Sequence, residues 1–142
     1  MLREFCAVHQ RTLRRDEQQG IASEQTRRIE VAAGEAEIVV ADTTALMIAV
    51  YGDLVFGDWS LYDAASAEQR RCSMTLLTSV DLPWRADGLQ RDGAHVRAEV
   101  DALVRAALER AGVAFTSLAG VGAASLANAL AAIDKARPGS PR

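Results

Sequence analysis

Apolar residues recur along positions 96–111 as Val96, Val100, Leu103, Val104, Ala107, Leu108 and Ala111. That spacing is one stripe of a 3.6-residue helix, and Gly112 is placed to end it. Leu2, Phe5 and Val8 predict a short helical turn at the start of the chain. Asp16 is placed as the N-cap of a helix running to Ala33, with Gly34 as its stop. Ile21 and Ile29 share one face of that helix with the polar Gln25 between them. Residues 44–56 are apolar on every side and predict a buried helix that loosens near Gly52. Ser60, with Asp63 three positions on, reads as a capping-box variant opening a helix to about Arg71. Leu126, Leu130 and Ile133 predict a last helix after the turn at Gly120-Val121-Gly122.

Between these helices lie short apolar runs: Ile38-Val39-Val40-Ala41, residues 74–80, and residues 113–118. Unbroken runs of this kind suit strands buried on both faces of a parallel sheet. Their alternation with helices predicts βαβ units with right-handed crossovers. The expected fold class is therefore α/β, one domain over residues 1–137. Residues 138–142, with two prolines, are expected to be a disordered tail.

A chain of 142 residues is long enough to bury a core. The net charge of −3 argues against a surface built for nucleic acid. No apolar run reaches membrane-spanning length, and residues 1–4 lack the shape of a signal peptide. The two cysteines, Cys6 and Cys72, form neither a metal spacing nor a disulfide framework. The expectation is a cytoplasmic protein with no nucleic-acid or membrane partner, and a homo-oligomer stays open.

Chemistry concentrates at two places. Asp42 ends the run at 38–41, where an acid is placed to hold Mg²⁺ or water beside a phosphate; it also reads as a cap for the next helix. Residues 73–93 run from an apolar strand through Asp81-Leu82-Pro83-Trp84 into Ala86-Asp87-Gly88 and the arginines beyond. A strand ending in such a turn is where an α/β protein holds its ligand. Gln25 reads either as a core amide or as a ligand contact. Arg11, Arg14 and Arg15 read as a solvated cluster or a phosphate site.

Several segments carry a resemblance across nearly the whole chain: Arg3-Glu4-Phe5, Gln25, Val39-Val40-Ala41-Asp42-Thr43, and the more specific Pro83-Trp84-Arg85-Ala86-Asp87-Gly88-Leu89. Together they resemble the P-loop kinase/ATPase domain of NadR-type proteins, the ribosylnicotinamide kinase-like group among AAA-type ATPases of NAD metabolism. The resemblance implies a three-layer P-loop NTPase sandwich with a mostly parallel sheet. It implies ATP and Mg²⁺ as cofactors and a small nucleoside-like molecule, of the nicotinamide riboside type, as phosphoryl acceptor. It places Asp42 at the metal or acceptor hydroxyl and Arg91 and Arg97 on phosphate charge. It places Trp84 against the acceptor base, Asp87 at its ribose or the lid hinge, and Gln25 and Arg3 among the substrate-binding positions. Phosphoryl transfer is mostly positioning and charge stabilisation, so these parts suit it.

The chain departs from that pattern. Thr44 stands where many relatives carry a second acid, and Gln90 where an arginine is common. No G-x-x-x-x-G-K-[ST] occurs, and the only lysine is Lys135. The turn at Gly120-Val121-Gly122-Ala123-Ala124-Ser125 has neither the length nor the lysine of a P-loop, and the resemblance places it near adenine. In the family the P-loop unit precedes the Arg-Glu-Phe element, so Met1 inside that element predicts a truncated chain. About 30 or more residues of a strand–loop–helix unit would be absent. The sheet would lack its first, central strand, leaving a gap of about 10 Å between the strands ending at Asp42 and Val80. Such a chain is expected to fold poorly and to be inactive as a kinase. The alternative is a non-catalytic remnant that binds a nucleotide-like ligand or a partner protein.

Overall fold

The structure is a computed structural model that describes residues 2–80 and 94–136. It is α/β and mostly helical: α1 (Leu2–His9), a 3₁₀ turn (Arg15–Glu17), α2 (Gln18–Glu35), α3 (Ala45–Phe56), α4 (Tyr62–Arg70), β1 (Leu76–Thr78), α5 (Ala94–Arg110), β2 (Thr116–Leu118) and α6 (Ala123–Ala136).

The core is organised around α3. Its sequence, ALMIAVYGDLVF, has no polar face, and such a helix is stable only when packed on several sides. It packs against α2, α4 and α5. Ala49 and Val50 are fully buried, and Ala107 and Leu108 of α5 are nearly so. Gly52 does not loosen the helix, which continues to Phe56. Gly52 is instead a point of close approach, because a Cβ there would stand 2.5 Å from Gln18 Oε1. The helix stops at Gly57, whose φ of 61° is the left-handed C-terminal cap that glycine adopts without strain.

The long stripe predicted at 96–111 is α5, with Val104, Ala107, Leu108 and Ala111 buried and Gly112 following at φ 65°. Other helix ends differ from expectation. Asp16 does not cap α2; a 3₁₀ turn precedes the helix, and the Glu17 carboxylate accepts the Arg14 backbone N–H at 2.9 Å. Gly34 does not stop α2, which ends in the extended backbone of Ala36. Ser60 does not cap α4, whose N-cap is Leu61; the Ser60 backbone N–H donates to Asp58 Oδ1 at 3.0 Å. Neither α2 nor α4 has a side-chain hydrogen bond at its N-cap, and α2 closes on the backbone bond from Ala36 N–H to Ala32 O.

The largest departure concerns the sheet. Among the described residues it has two strands, β1 and β2, paired in parallel with Leu76 opposite Thr116 and Thr78 opposite Leu118. The expected strand at 38–41 is not formed: these residues have no regular structure. Ile38 is 59% and Val40 81% exposed. A strand needs a neighbour to take its backbone hydrogen bonds, and residues 38–41 pair with neither β1 nor β2. Apolar composition made this run a strand candidate, but composition does not provide a pairing edge. The described residues are α/β, mostly helical with a small two-stranded parallel sheet.

The alternating backbone of β1 has one satisfied edge. Thr75 O accepts from Thr116 N at 2.9 Å and Ser79 N donates to Leu118 O at 2.8 Å. In a parallel ladder the residues between, Leu76 and Thr78, direct their backbone groups to the other edge. The apolar side of α6 is also little covered, with Leu126 and Leu130 exposed.

Candidate functional site

A wide cleft of about 2800 Å³ lies beside α2, α3, β1 and α5, and the irregular segment 36–44 forms part of its wall. Small-molecule sites usually measure about 300–1,000 Å³. The cleft is thus an open groove and not an enclosed small-molecule pocket.

Asp42, Gln25 and Arg97, three of the residues expected to act, all line this cleft. Asp42 is exposed at the end of the 37–42 segment, and it is not the cap of α3, because the N-cap is Thr44. Arg97 enters from the first turn of α5 and is half-buried. Gln25 projects from the middle of α2, and its Nε2 donates to the backbone carbonyl of Thr43 at 3.2 Å. This bond ties the amide to backbone through its nitrogen. Arg3 lies in α1, and nothing of its side chain falls within the described residues. Trp84, Asp87 and Arg91 lie outside the described residues, as does the whole of the 81–93 turn.

The backbone next to Asp42 is unusual. Thr43 has φ 78°, a left-handed conformation that is strained for a β-branched residue. Thr44, the N-cap of α3, makes no side-chain capping bond. Its Oγ1 donates instead to Gln69 Oε1 at 2.6 Å, and Gln69 Nε2 donates to Thr75 Oγ1 at 2.9 Å. Gln69 is 5% exposed. The chain just after Asp42 is thereby tied to the residue just before β1.

Gln69 was hidden in a run, Glu68-Gln69-Arg70-Arg71, that reads as a solvated, charged helix end. Helical spacing marks it nonetheless: it follows Tyr62 by seven positions and Ala65 by four, the buried face of α4.

Elsewhere, candidate charges have structural duties. Arg11 forms a two-pronged pair with the Glu17 carboxylate, at 2.7 and 2.5 Å, and Arg15 pairs with Asp58 at 2.6 Å. The hydrogen bond from Arg11 holds the Glu17 carboxyl down at about 2. The N-terminal basic cluster is thus largely engaged rather than open to phosphate. Burial pushes the Cys6 and Cys72 thiols up, away from the thiolate a nucleophile needs. Among the described residues no group of three or more acids, histidines or cysteines could hold a metal. No helix there is long and apolar enough to cross a membrane.

For Mg²⁺, one open carboxylate fits the usual arrangement, since Mg²⁺ is commonly held by one or two carboxylates together with substrate phosphates. Asp42 provides that much. The phosphate chain of a nucleotide fits less well. The glycine turn before α6 has left-handed residues at Gly120 and Gly122, but its only nearby helix start offers no lysine, and Lys135 stands in the last turn of α6.

No curated protein and no solved structure matches the chain. A family model described as AAA domain matches residues 1–132, almost the full length. The chain belongs to the AAA domain family, which suggests a nucleotide-binding, ATPase-like function.

Proposed function

We propose that this chain carries the acceptor half of a phosphoryl-transfer site of NAD metabolism, taking a nucleoside-like acceptor of the nicotinamide riboside type. The observation that supports this reading best is that Asp42, Gln25 and Arg97 all line one wide cleft of an AAA-family chain. Asp42 would hold Mg²⁺ or the acceptor hydroxyl, and Mg²⁺ when bound would neutralise phosphate charge. Arg97, with Arg91, would meet the phosphoryl oxygens. Trp84 would stack on the acceptor base, and Asp87 would hold its ribose.

The lysine-bearing phosphate loop that such chemistry uses is not among these 142 residues. The proposal is accordingly that these 142 residues do not turn over ATP by themselves. A second reading is a non-catalytic module that binds a nucleotide-like ligand or a partner protein. The exposed apolar side chains of Ile38 and Val40 on the cleft wall favour a partner protein in this second reading.

Calorimetric titration of the full chain with nicotinamide riboside, and separately with ATP-Mg²⁺, tests the reading. The expected result is riboside binding that weakens in Trp84→Ala, and no ATP hydrolysis. Failure of the riboside to bind removes the acceptor assignment. Hydrolysis of ATP by the chain alone overturns the inactivity.

A further inference from the structure

We propose that Gln25 and Gln69 are positioning residues that hold the turn at Thr43–Thr44 so that Asp42 is presented to the cleft; this rests on the reading of Asp42 as the metal-side carboxylate.

Two local costs fall on consecutive residues after Asp42. Thr43 occupies φ 78°, where a β-branched side chain crowds its own backbone. Thr44 leaves α3 without the hydroxyl cap that a threonine at this position ordinarily provides. Conformations of this kind persist only where surrounding contacts over-determine them. Those contacts are visible. Gln25, from α2, takes the Thr43 carbonyl at 3.2 Å. Gln69, from α4, takes the Thr44 hydroxyl at 2.6 Å and passes the connection to Thr75 beside β1. The partners are distant in sequence, 18 and 25 residues away, so the turn is set by the tertiary fold and not by its own sequence.

The consequence is directional. Residues 38–41 pair with neither β1 nor β2, so no sheet ladder among the described residues fixes the approach to Asp42. The two amides supply the fixed points instead, one on the backbone and one on the side chain following the acid. Neither side chain needs to touch a ligand for this. Gln25 is thereby assigned a positioning role in place of the substrate contact expected from the sequence.

The test uses the full chain, with Mn²⁺ as the metal probe and amide NMR as the readout. Thr43 should show the strong intraresidue amide-to-Hα NOE of a positive φ, and Mn²⁺ should broaden the amides of residues 42–44. Gln25→Leu keeps the volume and removes the donor. It should abolish the Thr43 NOE and weaken Mn²⁺ binding by about fivefold, roughly the worth of one net hydrogen bond, with the shifts of α2 unchanged. Gln69→Leu should perturb Thr44 and weaken Mn²⁺ similarly. A Thr43 NOE that survives Gln25→Leu overturns the clamp. Loss of that NOE without change in Mn²⁺ affinity overturns the positioning role. Absence of Mn²⁺ broadening in the unsubstituted chain, with Asp42→Asn behaving identically, overturns the metal reading of Asp42 and with it the purpose assigned to the clamp, while the Thr43 NOE still reports whether Gln25 sets the turn.

Discussion

Thr44 Oγ1 donates to Gln69 Oε1 at 2.6 Å, joining the start of α3 to a buried amide on α4. Both ends of this amide are used, since Gln69 also donates to Thr75. The arrangement places a satisfied polar link inside a largely apolar packing of helices, where unsatisfied groups are costly.

Gln69→Ala should therefore destabilise the fold by about 1–3 kcal/mol, from two lost hydrogen bonds and a cavity. Gln69→Glu should also be destabilising, because a carboxylate cannot donate to Thr75. Urea unfolding followed by circular dichroism measures both. A change within experimental error in either would show that the link contributes nothing to stability.

Thr43→Gly should stabilise the chain. Release of the strained φ is worth about 1–3 kcal/mol and the added flexibility of glycine costs about 0.5–1 kcal/mol, so a net gain of about 1 kcal/mol is expected. The measurement is the urea midpoint. A lower midpoint would mean that the threonine side chain contributes more than its backbone costs.

Stability should fall in acid between pH 4.5 and about 2. Hydrogen bonds from Arg11 to Glu17, and from Arg27 and Arg28 to Glu24, hold both carboxyls at about 2, against an ordinary 4.5. A carboxyl lowered in the folded state adds stability that is full above its unfolded value and lost as pH drops through its folded value. Both pairs face solvent, so the effect is reduced by screening. Arg11→Gln should flatten part of the acid limb, read from unfolding midpoints across pH, and should leave the curve above pH 6 little changed in shape.

At high pH the sign reverses. Burial, reinforced by the bond its hydroxyl donates to Asp53 at 3.0 Å, pushes Tyr62 up to about 12. A phenol raised in the folded state adds stability that is present below its unfolded value of 10.0 and is lost toward 12. Tyr62→Phe should remove this alkaline decline. Absorbance titration of tyrosinate in the folded chain gives the shift directly.

Arg110 lies over Tyr62 at 4.7 Å and over Trp59 at 5.1 Å. Arg110→Met should cost about 0.5–1 kcal/mol, the usual worth of an exposed cation–π contact, and shift the emission of Trp59. Val40→Lys, by contrast, should change stability by less than about 0.5 kcal/mol, since exposed surface positions rarely matter more. It should also lower light scattering, because Ile38-Val39-Val40 is an apolar, uncharged run that invites strand pairing between molecules. A large loss of stability would place Val40 in a packed environment.

Helices were legible wherever one face repeated over several turns. Residues 96–111 and 44–56 announce α5 and α3 because burial of an apolar stripe, or of a helix apolar all round, is the main source of helix stability and needs only local periodicity. The AAA-family character was legible too, in segments spread from Arg3 to Leu89. Local sequence did not determine the fate of residues 38–41, since a strand exists only with an edge to pair to, and pairing is a property of distant parts of the chain. It did not determine the partner of Gln25 or the burial of Gln69, because a polar side chain among apolar neighbours must find a partner without its sequence naming which. Only the tertiary structure decided that Asp42 would stand after an unpaired run, beside a strained threonine, with two amides from other helices holding the turn.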